Sequence, residues 1–455
     1  MDFQPVSTLT LSPQPVPPTS RGLSPRASHW QRISADGSRL WIWITWAFTA
    51  YWAFFVTGAL LGLKQLNSAG AVIVLVVLGW AVLERLWLRV DSSAMASVAL
   101  AFLPGVQAFT STVPMSYDFV IKHVSLCLVM AISRLLRLPV VSRSSVRWIL
   151  AAQVLIILVI SLTLHRGNAW DGGRFSGMFA NPNNLALIPF LLLLLIDRAR
   201  DSRLIQGSAH VVVVLVLGFT STSGAVLGYI IGLALYMSAR LSRSTRLIAW
   251  WTGISLIALF GIGISTVDPS LVPDTRFTNQ LLLMRSEFGK VIQGEKIQYY
   301  EHEKVMGSGS GSAIWRVQHW RDTLVTYSKG TFPERIFGFG PGASIALCEK
   351  LPHNDYLRML FEEGLLGLLL FLVAWIGIIR AAPAGIRYVA ISVAVYCFSE
   401  NNLDNFPFMA LLALCLSANA TPVIRGDAAG FRQRIITTSL VRDVSCTRLE
   451  TVPST

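Results

Sequence analysis

Charged side chains are scarce in this 455-residue chain: Asp, Glu, Lys and Arg together make up 14% of it, whereas apolar residues make up 53%. The mean hydropathy is +0.55, and apolar runs of membrane-spanning length recur between residues 40 and 420. A soluble chain of this length would form roughly two or three domains with a charged surface. The shortage of charge therefore excludes an ordinary soluble protein and predicts a polytopic membrane protein.

Cysteine and the common catalytic motifs are also sparse. Of the five cysteines only Cys348 lies in the long predicted loop, so no disulfide can form within that loop. The sequence has no Cys-x-x-Cys pair, no Asp-x-Asp pair in a predicted outer loop and no Gly-x-Ser-x-Gly motif. We therefore predict neither a metal site nor a serine hydrolase.

The formal net charge of +13 would suggest nucleic acid as a partner if the protein were soluble. The distribution of the positive charges along the chain indicates a membrane protein instead. With the N-terminus inside, 23 arginines fall on predicted cytoplasmic segments, and the short opposite loops hold only Lys64, Arg166 and Arg174. A missing helix would invert every later loop, so this positive-inside pattern supports the helix count. We predict an inner-membrane protein with both termini in the cytoplasm and no nucleic-acid partner.

The apolar runs divide the chain into five regions. Residues 1–39 are predicted to be a disordered cytoplasmic tail without a signal peptide, and residues 421–455 a second cytoplasmic tail. Nine transmembrane helices are predicted in 40–265 and three more in 353–420. Between them lies a large periplasmic loop, 266–352, which is too long for a simple connection and is expected to carry function. The predicted spans lie near residues 40–63, 69–88, 93–113, 117–135, 147–165, 183–197, 205–221, 223–239, 247–265, 360–379, 385–400 and 404–420.

The first polar segment on the predicted outer side, Gly172–Asn184, runs directly into an apolar span. Its glycines and Pro182 permit tight turns, and Asn183 or Asn184 can cap the helix that follows. The free N–H groups of that helix end, next to Arg174, would suit an anion. The segment also fits a capped turn with an arginine that extends to the membrane surface, and both interpretations stay open.

The second polar segment, Trp315–Arg321, lies in the long loop. At helical spacing Arg316, His319 and Trp320 share one face. An arginine can bind phosphate through two parallel hydrogen bonds, and a tryptophan can pack on a sugar ring or a lipid headgroup. Taken alone, the segment is more typical of an interfacial helix that these side chains anchor.

The third polar segment begins with a glycine cluster, Gly338–Gly342, which lacks the lysine and the strand–helix context of a Walker loop. His353 follows, just before a helix at the outer mouth of the membrane. A neutral imidazole there can accept a proton from a hydroxyl group. A lone histidine is more often structural, so the segment alone predicts a candidate base and no more.

These segments follow one another in a set order: Arg174-x-x-Gly177-x-Phe179-x-Asn181-Pro-Asn183, Trp315-Arg316-x-x-x-Trp320, Gly338-x-Gly340-x-Gly342, His353-Asn354-x-Tyr356-Leu357 and Glu363-Gly364-x-x-Gly367. In this order and spacing, over roughly residues 147–420, the chain resembles the bacterial O-antigen ligase and O-antigen (exopolysaccharide) polymerase superfamily. It departs at Ser221–Gly224, where many members carry Ser-Arg-Gly. That arginine is either missing here or supplied elsewhere, for example by Arg285 or Arg321.

The resemblance implies an all-α polytopic membrane protein of GT-C-like architecture with about 12 transmembrane helices. It further implies metal-independent, inverting glycosyl transfer without a cofactor, from a glycan on undecaprenyl diphosphate to a sugar hydroxyl. Arg174 and Arg316 would bind the diphosphate and stabilise its leaving charge, and His353 would orient or deprotonate the acceptor. The other implied substrate-binding residues are Asn181, Asn183, Trp320, Arg321, Asn354, Tyr356 and Glu363.

Two activities within the superfamily share this donor and differ in the acceptor. A polymerase extends another lipid-linked repeat unit, whereas a ligase transfers the glycan to lipid A–core. The order of the tryptophan–arginine segment and His-Asn-Asp-Tyr-Leu is more similar to the polymerases, so a polymerase is expected and a ligase is the alternative. A transporter would call for intramembrane charges and two similar halves, and a flippase would not need the long outer loop. Expected partners are the lipid-linked donor, the glycan acceptor and membrane lipids, with a chain-length regulator and a flippase as candidates.

Overall fold

The computed structural model describes residues 25–63, 65–83, 91–136, 144–163, 170–171, 174–179, 181–196, 201–239, 241–248, 251, 255, 276–297 and 312–418. Within these residues the fold is almost entirely helical, which confirms the all-α prediction. The first helix begins at Pro25, inside the segment predicted as a tail, and proline is favoured at the first position of a helix. The predicted C-terminal tail lies outside the described residues.

The helices are, in chain order, α1 Pro25–Leu61, α2 Gln65–Leu83, α3 Ser92–Thr110, α4 Tyr117–Leu135, α5 Ser144–Thr163, α6 Pro182–Leu187, α7 Phe190–Leu195, α8 Arg203–Thr220, α9 Ser223–Ser238, α10 Arg276–Gln293, α11 Ser312–Ser328, α12 Phe332–Phe337, α13 Ala343–Cys348, α14 Asp355–Ala381, α15 Ala384–Tyr396 and α16 Phe406–Ala418. A short antiparallel hairpin, β1 Trp170–Asp171 and β2 Arg174–Phe175, precedes α6, with Asp171 opposite Arg174. A 3₁₀ turn, Asn402–Asp404, lies before α16.

Six of the described helices are long and apolar enough to cross a membrane: Arg39–Leu61 of α1, α2, α3, Val146–Thr163 of α5, α8 and α14. Shorter apolar helices lie at Pro182–Leu195, Ser223–Ser238, Gly385–Tyr396 and Phe406–Ser417. All ten coincide with predicted spans. The span predicted near 117–135 forms α4, which is not among these ten, and most of the span predicted near 247–265 lies outside the described residues. Large apolar side chains such as Phe102 and Phe109 point outward from these helices, as expected for surfaces that face lipid. The chain is a multi-pass membrane protein.

The most buried helices are α7 and α16, whose apolar side chains are enclosed on every side. Phe190 and Leu193 of α7 and Phe408 and Leu414 of α16 are fully buried. Both helices are apolar all round, which is typical of a helix surrounded by other helices. They form the centre of one large core that also includes parts of α1 to α5, α14 and α15.

Helix α9 packs along α15, and this packing brings the C-terminal end of α15 to the outer polar segments. Glycine permits the close approach: a Cβ atom added at Gly228 would lie 2.4 Å from the carbonyl oxygen of Ser392. The hydroxyl of Tyr396, the last residue of α15, donates to the carbonyl oxygen of Asn183 at 3.2 Å. The turn after α15 therefore lies beside the Asn-Pro segment.

Two of the glycine motifs pack against each other, backbone on backbone. Gly364 interrupts α14 with φ 71° and ψ −174°, and a Cβ atom there would lie 2.4 Å from the amide nitrogen of Gly338. The N–H groups of Phe339 and Gly340 donate to the carbonyl oxygens of Phe361 (3.1 Å) and Glu362 (2.9 Å). The glycine cluster therefore joins the end of the long loop to a kink in a helix of membrane-spanning length.

Replacing Gly364 with alanine is expected to destabilise the protein by at least about 1–3 kcal/mol, because the backbone there is left-handed and the Cβ atom has no room. The measurement is the midpoint of thermal unfolding of the purified protein in detergent. Gly105→Ala is the control, since a Cβ atom at Gly105 meets nothing within 4 Å. Equal midpoints for the two variants would contradict the tight packing at the kink.

Candidate active site

A polar cavity of about 390 Å³ lies where the start of α6, the loop before α14 and the turn after α15 meet. A volume of this size is typical of small-molecule sites. The wall consists mainly of amide and carboxylate side chains, and it includes three residues predicted from the sequence. Those that matter most for chemistry are Asn181, Asn183, His353, Glu400, Asn401 and Asp404.

The Asn-Pro segment forms one side of the cavity. Asn181 caps α6 by accepting the N–H of Asn184 at 3.0 Å, and Pro182 takes the first helical position. Asn183 is 7% exposed, so its side chain is held within the site. The side-chain amide of Asn405 donates to the carbonyl oxygen of Asn184 at 3.3 Å. Of the two predicted caps, Asn183 and Asn184, neither serves: Asn181 caps the helix.

Arg174 lies directly behind this side of the cavity, on β2. Its guanidinium donates to the carbonyl oxygen of Thr220 (2.9 Å), to the hydroxyl of Thr222 (3.0 Å) and to the side-chain oxygen of Asn183. Thr222 belongs to the segment where many superfamily members carry an arginine. Arg174 therefore supplies a positive charge behind Asn183, one residue removed from the cavity wall.

Helix α11 presents three side chains to the segment around the cavity. Arg316 forms an ion pair with Glu400, and the indole N–H of Trp320 donates to the carbonyl oxygen of Pro352 at 2.5 Å. Burial lowers the pKa of His319, so its imidazole is neutral at pH 7 and can donate to the carbonyl oxygen of Lys350 at 3.1 Å. The amphipathic face of α11 thus packs on the loop that carries the candidate base.

His353 lies on the cavity wall and contacts Glu400. Its Nδ1 is 2.9 Å from Oε2 of Glu400, whose other oxygen receives the Arg316 guanidinium. The indole of Trp315 packs edge-on against the imidazole, with centroids 5.3 Å apart and an interplanar angle of 79°. The φ angle of His353 is 50°, a left-handed value that a residue with a side chain adopts only where its surroundings impose it. The imidazole is therefore held by Glu400 and Trp315, on a backbone in an uncommon conformation.

A buried charged cluster holds the turn that carries Glu400. Both carboxylate oxygens of Asp355 accept backbone N–H groups, from Asn402 at 2.8 Å and Leu403 at 3.4 Å. Arg358 donates to Asp404 at 2.8 Å and to Glu362 at 2.9 Å. Because Asp355, Arg358 and Glu362 are almost fully buried, each depends on its partners for stability. The floor of the cavity is thus tied to the first turns of α14.

Two predicted substrate-binding residues have local structural contacts near the start of α14. Asn354 caps this helix by accepting the N–H of Leu357 at 3.0 Å. The hydroxyl of Tyr356 donates to the carbonyl oxygen of Ala394 at 2.8 Å, which links α14 to α15. Neither residue lines the cavity, and neither does Trp320.

Arg321 and Glu363 also lie away from the cavity wall. Arg321 is 3.3 Å from Asp322, and its guanidinium passes over Gly294, at the end of α10. Glu363 is fully buried, where the side-chain amide of Gln107 donates to it at 3.0 Å. Of the predicted residues, the structure brings Asn181, Asn183 and His353 to the cavity and Arg174 and Arg316 immediately behind it.

The sequence predictions missed the residues after α15. Glu400, Asn401, Asn402 and Asp404 all line the cavity, and Glu400 is 3% exposed. A signal for them exists: Ser399–Asn405 is a dense polar run between two apolar helices. Polar and ionisable groups between membrane helices are costly to bury and usually have a function, so the run itself indicates a site.

The described residues contain no group of three or more His, Cys, Asp or Glu side chains arranged to hold a metal ion. Three cations lie around the cavity among the described residues: Lys350 on its wall, Arg316 behind Glu400 and Arg174 behind Asn183. Arginine can neutralise phosphate charge through paired hydrogen bonds. The arrangement thus offers a base, a carboxylate partner for it and three positive charges around one polar cavity.

Helices of membrane-spanning length around a polar cavity define a multi-pass membrane protein with a candidate catalytic centre. Residues 208–372 match the family model for O-antigen ligase, which confirms the resemblance to the O-antigen ligase and polymerase superfamily. The match runs from α8 to α14 and includes Arg316 and His353. It supports an O-antigen ligase- or polymerase-type function and a glycosyltransferase-like enzyme. No curated protein matches the chain.

Proposed function

We propose that this protein is a polysaccharide polymerase that joins undecaprenyl-diphosphate-linked repeat units at the periplasmic face of the inner membrane. The observation that carries the proposal is the cavity itself, with His353 on its wall and Arg316 directly behind Glu400. A base and phosphate-binding cations are the groups that glycosyl transfer from a lipid diphosphate requires.

The acceptor hydroxyl first binds near His353. His353 then takes the hydroxyl proton while the hydroxyl oxygen attacks the anomeric carbon of the donor. The lipid diphosphate leaves from the opposite face, so the anomeric configuration inverts. Arg174 and Arg316 stabilise the charge that develops on the leaving diphosphate, in place of a metal ion. Among the described residues no acceptor contacts the buried Nε of Arg316, which leaves that donor free for a phosphate oxygen.

Sugar hydroxyls would bind the amide-rich wall of the cavity. The side-chain oxygen of Asn401 is buried and has no hydrogen-bond partner among the described residues. An unpaired buried acceptor costs free energy until a donor reaches it, and a sugar hydroxyl is such a donor. Asn181 and Asn183 supply further amide groups on the opposite wall.

The glycan profile of a deletion strain tests the function. Loss of the polymerase is expected to reduce surface or secreted polysaccharide to single repeat units, and the wild-type gene is expected to restore the polymer. Full-length polymer that accumulates on the lipid carrier would instead identify a ligase. An unchanged profile in a strain without a second polymerase would contradict both and favour a transporter.

A further inference from the structure

Glu400 is the carboxylate around which the candidate active site is organised. It follows α15 in a turn and contacts two groups that lie far away in sequence: Arg316, 84 residues before it, and His353, 47 residues before it. Its side chain is 4% exposed, while that of His353 is 30% exposed and lines the cavity. The buried carboxylate therefore lies between a half-buried cation and a histidine that solvent and substrate can reach.

Both oxygens of Glu400 have a partner. Burying a carboxylate is costly, and a guanidinium compensates for that cost only when the other oxygen is also hydrogen-bonded. One oxygen of Glu400 contacts Arg316, and the second is 2.9 Å from Nδ1 of His353. A backbone N–H group would pair the second oxygen equally well, whereas His353 lines the cavity. The second contact therefore has an effect on a side chain that substrate can reach, besides pairing the carboxylate.

That effect follows from hydrogen-bond chemistry. An ionised carboxylate can only accept, so a neutral His353 must carry its proton on Nδ1. The lone pair is then on Nε2, and this nitrogen alone can receive a proton. The edge-on contact with Trp315 restricts rotation of the ring and so favours the same orientation.

We infer that Glu400 is a positioning residue, which holds His353 as its Nδ1–H tautomer so that Nε2 accepts the acceptor hydroxyl proton. The inference rests on the proposed glycosyl transfer. In that step the proton moves to Nε2, the hydroxyl oxygen bonds to the anomeric carbon, and the bond from that carbon to the phosphate oxygen breaks, its electron pair leaving on the diphosphate. Glu400 receives no proton, and its charge stabilises the imidazolium that forms.

The contact with Arg316 adds a consequence for donor binding. Glu400 neutralises part of the charge that Arg316 offers to a diphosphate. Removing the charge of Glu400 should therefore leave donor affinity unchanged or higher, although turnover falls. A general loss of structure would lower both together.

The test is a double-mutant cycle on the purified protein in detergent, with a lipid-linked repeat unit as donor and acceptor. Glu400→Gln is expected to reduce kcat by roughly 10–10²-fold, as loss of an outer carboxylate partner of a functional histidine does elsewhere. Glu400→Asp should recover part of that loss because it keeps the charge. In a His353→Ala background, Glu400→Gln should cause no further loss of kcat. A residue that acts only through His353 has no effect on the rate once His353 is removed. Asp118→Asn, at an exposed carboxylate on α4, is the control in both backgrounds.

Donor binding is measured separately on the same variants by titration with the lipid-linked diphosphate, so the test does not depend on residual activity. Unchanged or tighter binding by Glu400→Gln supports the inference. Weaker binding, or an equal loss of activity with and without His353, would overturn it and make Glu400 a structural residue. Full activity of His353→Ala would instead contradict the proposed function, a result that the cycle distinguishes.

Discussion

Replacing His353 with alanine is expected to lower the rate of glycosyl transfer by roughly 10²–10⁴-fold, the usual contribution of a positioned general base. The acceptor hydroxyl would then attack without a group to take its proton. The variant should still enter the membrane, because His353 is partly exposed and Arg316 remains as the partner of Glu400. The measurement is the initial rate of polymer formation by the purified variant, together with complementation of the deletion strain.

A second variant separates the imidazole from the backbone conformation. His353 has a φ of 50°, and asparagine tolerates this left-handed region better than alanine. His353→Asn should therefore be as inactive as the alanine variant but closer to wild type in thermal stability. His210→Asn is the control, since His210 contacts the Tyr229 hydroxyl at 2.7 Å and does not line the cavity. An active His353→Asn protein would show that another group takes the proton.

The apolar runs predicted the six long apolar helices and the four shorter ones among the described residues, because bilayer thickness fixes the length of a membrane-spanning run. The same rule does not report how helices pack. It could not show that α9 lies along α15 or that Gly338 meets Gly364, since each contact joins segments that are distant in sequence. The glycines were visible as turn formers, but their partners were not.

The site shows the same division between local and non-local information. His353 and Asn183 could be predicted from the sequence, because each lies in a polar segment next to an apolar span. Glu400 was not predicted, because its role depends on contacts with Arg316 and His353, which lie far away in sequence. Asn354 illustrates the opposite case: a polar residue before a helix reads equally as a ligand contact or as a cap, and its hydrogen bond to Leu357 makes it a cap.

Arg316→Lys is expected to lower kcat by about 10²–10³-fold, or about 2.7–4 kcal/mol, the usual cost of removing one group that stabilises transition-state charge. Lysine keeps a positive charge opposite Glu400, so the buried carboxylate retains a partner and the fold is preserved. It lacks the planar fork that can bind Glu400 and a phosphate oxygen at the same time. The expected fall in kcat therefore results from the changed geometry of the cation and not from a change in its charge. Initial rates over a range of lipid-linked donor concentrations measure it.

The control is Arg335→Lys, the same change at an exposed arginine on α12, which should leave the rate unchanged. If Arg316→Lys is as active as wild type, a point charge is enough and the paired hydrogen bonds to phosphate play no part. Arg316→Gln then decides the role of the charge itself, since glutamine can still donate to Glu400 but carries none. Full activity of both variants would leave Arg174, which contacts Asn183, or Lys350, which lines the cavity, as the cation for the leaving diphosphate.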